Sequence, residues 1–435
     1  MNQVNTKQPK VDDRFYTKSN FGKKGWGMII FVGILLFFCS ATTNDGFNAT
    51  VPAIAEENGW DYATILAYAT PAGFISVITS LLFGILADKK GAKFVTTICI
   101  IGTAACYAWH GNAGSELQYF IALTGLCAFA QAAAWIGGGA YLTMWFPKKK
   151  GLALGWATMG NNLSTAIVVP IITGLMFLTG SFAVTSIIAA IVILLSVIFC
   201  FVFPNRPEDA RYAPDNLPLN DEQMEAYKKE AKEYVSPWTY GKLFATKEMW
   251  LITLVLGFSM LMTVGVVSQV VVRLTSEDVG WSQPKAVTTM TVIALMGIVG
   301  SYLFGLLDQK IGAKKATAAY MVWFGVGIFL NTLPGDIFIY ISLFMIGFAL
   351  GGNANWPMSL TSTVFGHRNF AKAYSLILPL YTLIRCCAYI VLAFFISTTG
   401  SLTGAYIAFA IVGLIGAAIC MLINDKKYTD GTLGE

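Results

Sequence analysis

One phrase of twelve residues occurs twice in this chain, 221 positions apart. Residues 82–93 read LFGILADKKGAK, and residues 303–314 read LFGLLDQKIGAK. At the same displacement Trp135 matches Trp356. Because 221 positions are about half of the 435 residues, we predict that the chain folds as two copies of one design.

The composition indicates which solvent these two copies meet. Apolar residues make up 56% of the chain and charged residues 12%, about half of the charged share that is usual in soluble proteins. So few charges cannot cover the surface of a soluble protein of this length. We therefore expect lipid to surround most of the chain.

Twelve apolar runs are each long enough to cross about 30 Å of hydrocarbon as a helix. They predict an all-α membrane protein with twelve transmembrane helices in two pseudo-symmetric six-helix halves. The runs are 27–50, 62–87, 94–110, 117–146, 150–178, 181–203, 249–272, 284–307, 314–333, 337–365, 371–397 and 401–423.

The basic residues sort to one side of this predicted membrane. Of the 29 lysines and arginines, 26 fall on the side that holds both termini, and the exceptions are Arg273, Lys285 and Arg385. By the positive-inside rule that side is cytoplasmic, so we expect a multi-pass protein of the cell membrane with both termini inside. The predicted parts are a cytoplasmic N-terminal tail (1–25), a first half (26–203), a cytoplasmic linker (204–248), a second half (249–423) and a cytoplasmic C-terminal tail (424–435).

Several classes of function lack their sequence signatures here. The sequence contains no Walker loop, no HExxH motif and no nucleophile elbow. Its eight cysteines lie in or beside apolar runs without a CxxC pair, so we expect no disulfide framework and no metal site. The first apolar run is too long for a cleavable leader, and we expect it to remain as an anchor. We therefore predict a protein that is not an enzyme, needs no cofactor and runs on gradients or exchange.

The repeated phrase resembles the loop between the second and third helices of the major facilitator superfamily, whose pattern is G-x-x-x-D-[RK]-x-G. In this pattern glycine allows close helix contact, the acid can pair across the two halves, and the basic residues hold the loop in the cytoplasm. The resemblance implies a secondary transporter that works by alternating access. The matching residues are Gly84, Asp88, Lys89 and Gly91 in the first copy and Gly305, Asp308, Lys310 and Gly312 in the second, where the acid stands one position early.

Other segments are similar to the oxalate/formate antiporter and monocarboxylate porter branch of that superfamily. These are the run WFPKKKGLA at 145–153 and Gly160-Asn161-Asn162. This similarity implies a small organic anion that moves by exchange or with protons. The antiporters of the branch build their anion site from basic residues of the eighth and eleventh spans. Here the eighth span has only Lys285, at its outer edge, so we expect one central cation and not two.

That single cation is Arg385, near the middle of the eleventh run. A charge at this depth costs at least about 2.5–3.5 kcal/mol, so the side chain must face the interior of the bundle. Tyr381 and Tyr389 lie four residues to either side and share its helical face. We expect Arg385 to bind the anion between these aromatic walls, with a structural ion pair or a carbonyl cap as the alternative. Arg273, at an outer helix end, is expected to pair with Glu277 or Asp278 or to line the outer mouth.

Asp45 is the acid that lies well inside a predicted span. It could exchange protons while Arg385 exchanges substrate, or it could be a helix-end charge at the outer interface. Neutral polar residues within the runs also need internal partners. Those that we expect to contact substrate, with helix packing as the alternative, are Gln131, Trp135, Asn161, Asn355 and Trp356.

Together these features predict a secondary active transporter of a small organic anion, a carboxylate, by proton symport or exchange. Its expected partners are the small-molecule substrate, a proton or counter-substrate, and the lipid bilayer; we expect no nucleic-acid partner and a monomer. The main alternative is a proton-coupled exporter of drugs or amphipathic compounds, with Asp45 as the binding charge. A membrane sensor would need a signalling domain, and a channel would need a continuous polar stripe.

Overall fold

A computed structural model describes residues 12–426 and residue 428. The start of the predicted N-terminal tail, residues 1–11, lies outside the described residues. So do residue 427 and residues 429–435 of the predicted C-terminal tail. The described chain is helical and contains no β-strand.

Twelve long helices form the bundle, and we number them as spans in chain order. Eleven are long and apolar enough to cross a membrane; span 9 is less apolar because Lys314 and Lys315 occupy its first turn. The prediction of an all-α bundle with twelve spans in two halves is confirmed. The spans are Gly22–Asp45, Thr64–Lys90, Ala92–Gly111, Glu116–Trp145, Lys150–Thr179 and Phe182–Val202 in the first half, and Lys247–Val267, Gln283–Ile311, Ala313–Leu330, Asp336–Asn353, His367–Thr399 and Thr403–Met421 in the second.

Four spans depart from a regular α-helix at matching places in the two halves. Span 1 contains a π-helical turn at Ala41–Asp45, and span 4 contains a π-helical segment at Ala132–Gly138. Span 7 is interrupted before a short helix at Val270–Thr275, and span 10 before Trp356–Phe365. Displaced by 221 positions, each π-helical segment falls at or beside the interruption in the matching span. The repeat therefore extends from sequence to local backbone irregularity.

The halves touch through two crossings that the repeat makes equivalent. At the crossing of spans 5 and 8, a Cβ on Gly305 would lie 2.5 Å from the carbonyl oxygen of Gly151 and 2.6 Å from Cα of Gly155. At the crossing of spans 2 and 11, a Cβ on Gly84 would collide with Ser375. Glycine at the first motif position thus lets each pair of helices approach to backbone contact.

The acidic position of the motif also joins the halves. Asp88 forms an ion pair of 3.2 Å with Lys372 at the start of span 11. Gln309 matches Asp88 in the second copy, and its Nε2 donates a hydrogen bond of 2.8 Å to the carbonyl oxygen of Lys148. The two copies therefore make corresponding contacts between the halves, one with an ion pair and the other with an amide.

The acid of the second copy has a different environment from that of the first. A shift of one residue turns a side chain by about 100° around a helix. Asp308 is accordingly buried and accepts a hydrogen bond from Ser359 Oγ within its own half. The closing glycines, Gly91 and Gly312, adopt φ of +86° and +84° and end spans 2 and 8. The motif lysines, Lys89 and Lys310, are exposed.

The linker binds the first half through a buried aspartate and an aromatic stack. Asp215 accepts hydrogen bonds from the backbone N–H groups of Lys148 and Lys149, the latter at 2.7 Å, just before span 5 begins. The ring of Tyr212 stacks on Trp145 at 5.0 Å. The linker therefore closes over the ends of spans 4 and 5.

The same linker then crosses to the second half. Its helix Asp221–Glu233 begins at Asn220, whose side chain forms a capping box with Gln223. Near the end of this helix Glu230 pairs with Arg368 at 3.3 Å. The following residues bind the same loop of the second half, since Tyr234 accepts a hydrogen bond from Asn369 and the carbonyl oxygen of Trp238 accepts one from Lys372. We call these contacts of residues 227–238 with residues 368–372 the linker clasp.

All of these contacts between the halves lie at one end of the bundle, which we call the basic end. It comprises the linker and the loops that follow spans 2, 4, 8 and 10. At the opposite end, the extension of span 1, Phe47–Asn58, packs chiefly on helices of its own half, and Val270–Thr275 packs chiefly on span 8. Arg273 is buried there and pairs with Asp278 at 2.7 Å, one of the two partners proposed for it. The bundle is thus closed at its basic end.

Candidate substrate site

Arg385 lies midway along span 11 as a half-buried charge. Its helix, Phe370–Thr399, places it fifteen residues from the first residue. Among the side chains that the structure describes, none forms an ion pair or a hydrogen bond with its guanidinium. Tyr381 in the same span and Cys127 in span 4 of the other half lie within range of its charge. The side chain therefore faces the space between the halves, as the sequence analysis expected of a charge at this depth.

The two tyrosines beside Arg385 have different surroundings. Tyr381 is buried, and its hydroxyl lies 3.1 Å from the hydroxyl of Tyr374, which stacks on Phe370. Tyr389 lies one turn toward the opposite end and is 56% exposed. Tyr381 with Tyr374 thus forms a packed aromatic layer on the basic side of Arg385, while the other side has no such layer on this helix.

Asp45 lies in the π-helical turn of span 1 and is surrounded by hydroxyl groups. Its Oδ2 accepts hydrogen bonds from Ser40 at 2.7 Å, from Ser164 at 2.8 Å and from Thr165 at 3.2 Å. No ion pair joins Asp45 to Arg385 within the described residues, so the two charges are not direct partners in this conformation. The repeat adds a relation between them, because Ser164 is the position that matches Arg385 in the other half.

Three further predicted residues lie in the first half between these charges and the packed core. Trp135 belongs to the π-helical segment of span 4 and is half-buried. Gln131 donates a long hydrogen bond of 3.5 Å to Ser76 of span 2. Asn161 in span 5 is half-buried, and its side-chain amide has no hydrogen bond among the described residues. Of the three, Asn161 offers the most available polar group.

Asn355 and Trp356 are not available to a ligand in this conformation, in contrast to the expectation from their sequence positions. The Asn355 amide accepts a hydrogen bond of 2.5 Å from Thr158 and donates one of 3.0 Å to the carbonyl oxygen of Ser301, so it joins spans 5 and 8. Trp356 is fully buried against Tyr320 at 5.3 Å. The repeat made Trp356 look like a cavity residue because it matches Trp135, but the second half packs its copy inside.

Some residues of the site carried no clear signal in the sequence. Hydroxyl side chains such as Ser40 and Thr165 are common in membrane helices, where they bond to the backbone of their own helix. Ser164 was marked only by its match to Arg385. Tyr374 lies seven residues, or about two helical turns, before Tyr381, and this spacing indicates that the two side chains share one face of the helix. The described residues contain no group of three or more acidic, histidine or cysteine side chains arranged for a metal ion.

Comparisons with known proteins agree with this architecture. The sequence model described as Major Facilitator Superfamily matches residues 33–377. An uncharacterized MFS-type transporter of Escherichia coli K12, YhjX, is 23% identical over 367 residues, which are 83% of this chain and 86% of that protein.

Two solved structures show the same fold. The proton:xylose symporter XylE has a TM-score of 0.70 at 14% identity and covers 92% of this chain and 96% of its own. The human organic anion transporter MFSD10 has a TM-score of 0.67 at 15% identity and covers 95% of this chain and 100% of its own. At these identities the similarity concerns the fold alone.

Proposed function

Because the chain belongs to the Major Facilitator Superfamily, we propose that it is a secondary active transporter which moves a small organic anion, a carboxylate, by alternating access. The observation that supports this proposal is the unpaired guanidinium of Arg385 inside the bundle. A half-buried charge at this depth of the membrane is expensive when no described residue pairs with it, and a bound anion would supply the partner. The protein is not proposed to catalyse a chemical reaction.

Arg385 suits a carboxylate for geometric reasons. A guanidinium presents parallel N–H donors that match the two oxygens of a carboxylate, and such charge-assisted bonds are stronger than neutral ones. The aromatic layer of Tyr374 and Tyr381 would stop the anion from passing to the basic end while that end is closed. The halves would then rock about the site, so that the contacts at the basic end open as those at the other end form.

Asp45 would couple this movement to protons. It is an acid in the interior that has hydroxyl partners and, among the described residues, no basic partner, so its charge state can change with the conformation of its surroundings. Binding of a proton together with the anion gives symport, and return of a second anion gives exchange. XylE is named a proton symporter and MFSD10 an organic anion transporter, so the fold accommodates both features.

The orientation follows from the charges at the basic end. We propose that this end faces the cytoplasm, since 26 of the 29 basic residues belong to it in the predicted topology. In that orientation the structure represents the outward-facing state, in a cell membrane. We further propose that the monomer is the working unit, because each chain contains both halves and the whole path between them.

The test is uptake of labelled monocarboxylates and dicarboxylates by proteoliposomes. We expect the substitution Arg385→Gln to weaken binding of the carried anion about 10- to 100-fold, because hydrogen bonds to a charged group contribute about 1.5–3 kcal/mol. Arg385→Lys should have an intermediate effect, since lysine keeps the positive charge but lacks the two parallel N–H donors of the guanidinium. Lys285→Gln removes a cation that lies over the Trp281 ring at 3.6 Å and serves as the matched control. Undiminished uptake by the Gln variant, or no uptake of any anion by the wild type, would refute the proposal.

One observation supports a second candidate, a proton-coupled exporter of drugs or amphipathic cations. Asp45 lacks a basic partner among the described residues, so it could bind a cationic compound directly. Efflux of a cationic dye distinguishes the two. Under this alternative Asp45→Asn abolishes efflux and Arg385→Gln leaves it intact, whereas the organic-anion transporter shows no dye efflux at all.

A further inference from the structure

The hydrogen bond between Ser40 and Asp45 is incompatible with a regular α-helix. The two residues are five positions apart, and in an α-helix they would lie about 140° apart around the axis. Their side chains nevertheless meet at 2.7 Å. They can do so because residues 41–45 form a π-helical turn, which is wider than an α-helical turn and brings positions five apart to the same side.

This turn closes at Gly46. The backbone N–H of Gly46 donates to the carbonyl oxygen of Ala41 at 3.1 Å, five residues back, and Phe47–Asn58 then continues as an α-helix. A Cβ at position 46 would collide with that same carbonyl oxygen and would lie 3.1 Å from Cδ1 of Ile172 in span 5. Glycine is therefore the residue that lets the π-helical turn pack against span 5.

Two threonines of the same turn bond back to span 1. Thr42 Oγ1 donates to the carbonyl oxygen of Phe38 at 2.8 Å, and Thr43 Oγ1 donates to that of Cys39 at 2.7 Å. Such bonds to the carbonyl four residues back are ordinary for threonine in a helix, so the contacts that are specific to this turn are those of Ser40 and Gly46.

We infer that Gly46 is a positioning residue for Asp45, because it maintains the π-helical turn that aims the carboxylate at Ser40, Ser164 and Thr165. This inference rests on the proposed function, in which Asp45 exchanges the coupling proton. In an α-helical register the Ser40 bond is lost and Asp45 rotates away from the hydroxyl groups of span 5. Gly46 touches neither the anion nor the proton, and it acts through the position of Asp45.

Few other groups can influence the charge of Asp45. On its own helix, Cys39 is the neighbouring titratable side chain. Span 5 presents the hydroxyls of Ser164 and Thr165, and within the described residues spans 4 and 5 present no charged side chain to Asp45. A change in the proton equilibrium of Asp45 therefore reports mainly on the hydroxyl groups that the turn brings together.

The experiment measures that equilibrium without transport. In the substrate-free purified protein, infrared spectroscopy follows the carboxyl band that disappears in Asp45→Asn. We expect Gly46→Ala to move the pH midpoint of this band by about one pH unit, the size of one hydrogen bond to a charged group. Gly174→Ala is the matched control, since a Cβ there meets nothing within 4 Å in span 5, and its midpoint should stay at the wild-type value.

A second variant covers the case in which Gly46→Ala does not fold. Ser40→Ala removes the hydrogen bond that exists only in the π-helical register and leaves the backbone unchanged, so its midpoint should move as well. A folded Gly46→Ala with the wild-type midpoint would overturn the inference, and if that variant does not fold, a wild-type midpoint in Ser40→Ala would overturn it. The anion proposal is tested separately by Arg385→Gln, because the infrared band is measured without an anion. A protein that carries no anion but shows the expected midpoints refutes only the proposed substrate.

Discussion

The linker clasp predicts that one arginine controls how firmly the linker helix stays on the second half. The guanidinium of Arg368 pairs with Glu230 at 3.3 Å and lies 4.9 Å from the ring centre of Tyr234 and 5.8 Å from that of Tyr227. Its side chain is only 6% exposed, and that of Glu230 is 32% exposed. We consider the substitution Arg368→Gln, which removes the charge and keeps much of the length.

The size of the effect follows from these contacts. A partly buried ion pair contributes about 1 kcal/mol, and each cation–π contact contributes about 0.5–1 kcal/mol. Loss of side-chain freedom on binding offsets about 1 kcal/mol of this sum. The net is about 1–2 kcal/mol, so undocking of the linker helix should become roughly 5- to 30-fold more frequent in the variant.

Hydrogen–deuterium exchange of Asp221–Glu233 in the purified protein measures that frequency directly. We expect its slowest amides to exchange roughly 5- to 30-fold faster in Arg368→Gln. The control is Lys228→Gln, which breaks the 2.8 Å ion pair with Glu225 in the same helix. Those two side chains are 28% and 72% exposed, so the control should change exchange by less than about twofold.

Two results would refute this reasoning. Equal exchange in wild type and Arg368→Gln would mean that the ion pair and the aromatic contacts do not hold the helix. Equal acceleration in Arg368→Gln and Lys228→Gln would mean that any loss of charge loosens the helix, irrespective of burial. Either outcome would mean that the contacts of Arg368 do not help to keep the basic end closed.

Two further predictions concern the contacts that close the basic end. Gly305→Ala places a methyl group 2.5 Å from the carbonyl oxygen of Gly151, so spans 5 and 8 must move apart. We expect the free energy of unfolding, measured by thermal unfolding, to fall by roughly 1–3 kcal/mol. A decrease no larger than that of Gly174→Ala would contradict this prediction. Burial raises the pKa of Asp215 from 3.8 to about 6, against the backbone N–H donors that favour its charge. The folded protein therefore binds this proton more tightly than the unfolded chain, and the resulting stability is complete below pH 3.8 and lost as the pH rises through about 6. Thermal unfolding of wild type relative to Asp215→Asn should show this loss between about pH 3.8 and about pH 7, and a difference that is independent of pH would exclude it.

Much of the fold was predictable because it depends on local properties of the chain. Hydropathy over about twenty residues decides which segments cross the membrane, and the 221-residue repeat decides that two halves correspond. The motif glycine was expected to allow close helix contact and the acid to pair across the halves; Gly84 lies against Ser375, and Asp88 pairs with Lys372.

The linker was harder to interpret from its sequence. Prolines and mixed charges indicated a hydrophilic connection between halves, but they did not show that the connection is docked. Tyr212, Tyr227 and Trp238 are the signal that could have indicated it, because a solvated linker has little use for large aromatic side chains. Their partners, Trp145 and Phe365, are distant in sequence, so only the folded chain shows the contacts.

The sequence by itself determined the twelve spans, the two halves and the depth of the interior charges. Only the tertiary structure decided which of those charges have partners. Arg273 and Arg385 are both exceptions to the sorting of basic residues to one side of the membrane. Arg273 nevertheless pairs with Asp278, whereas Arg385 has no partner among the described residues. Burial follows from the hydropathy of neighbouring residues, which is a local property. Pairing depends on which distant helix lies opposite and on its exact rotation, as the π-helical turn at Asp45 demonstrates.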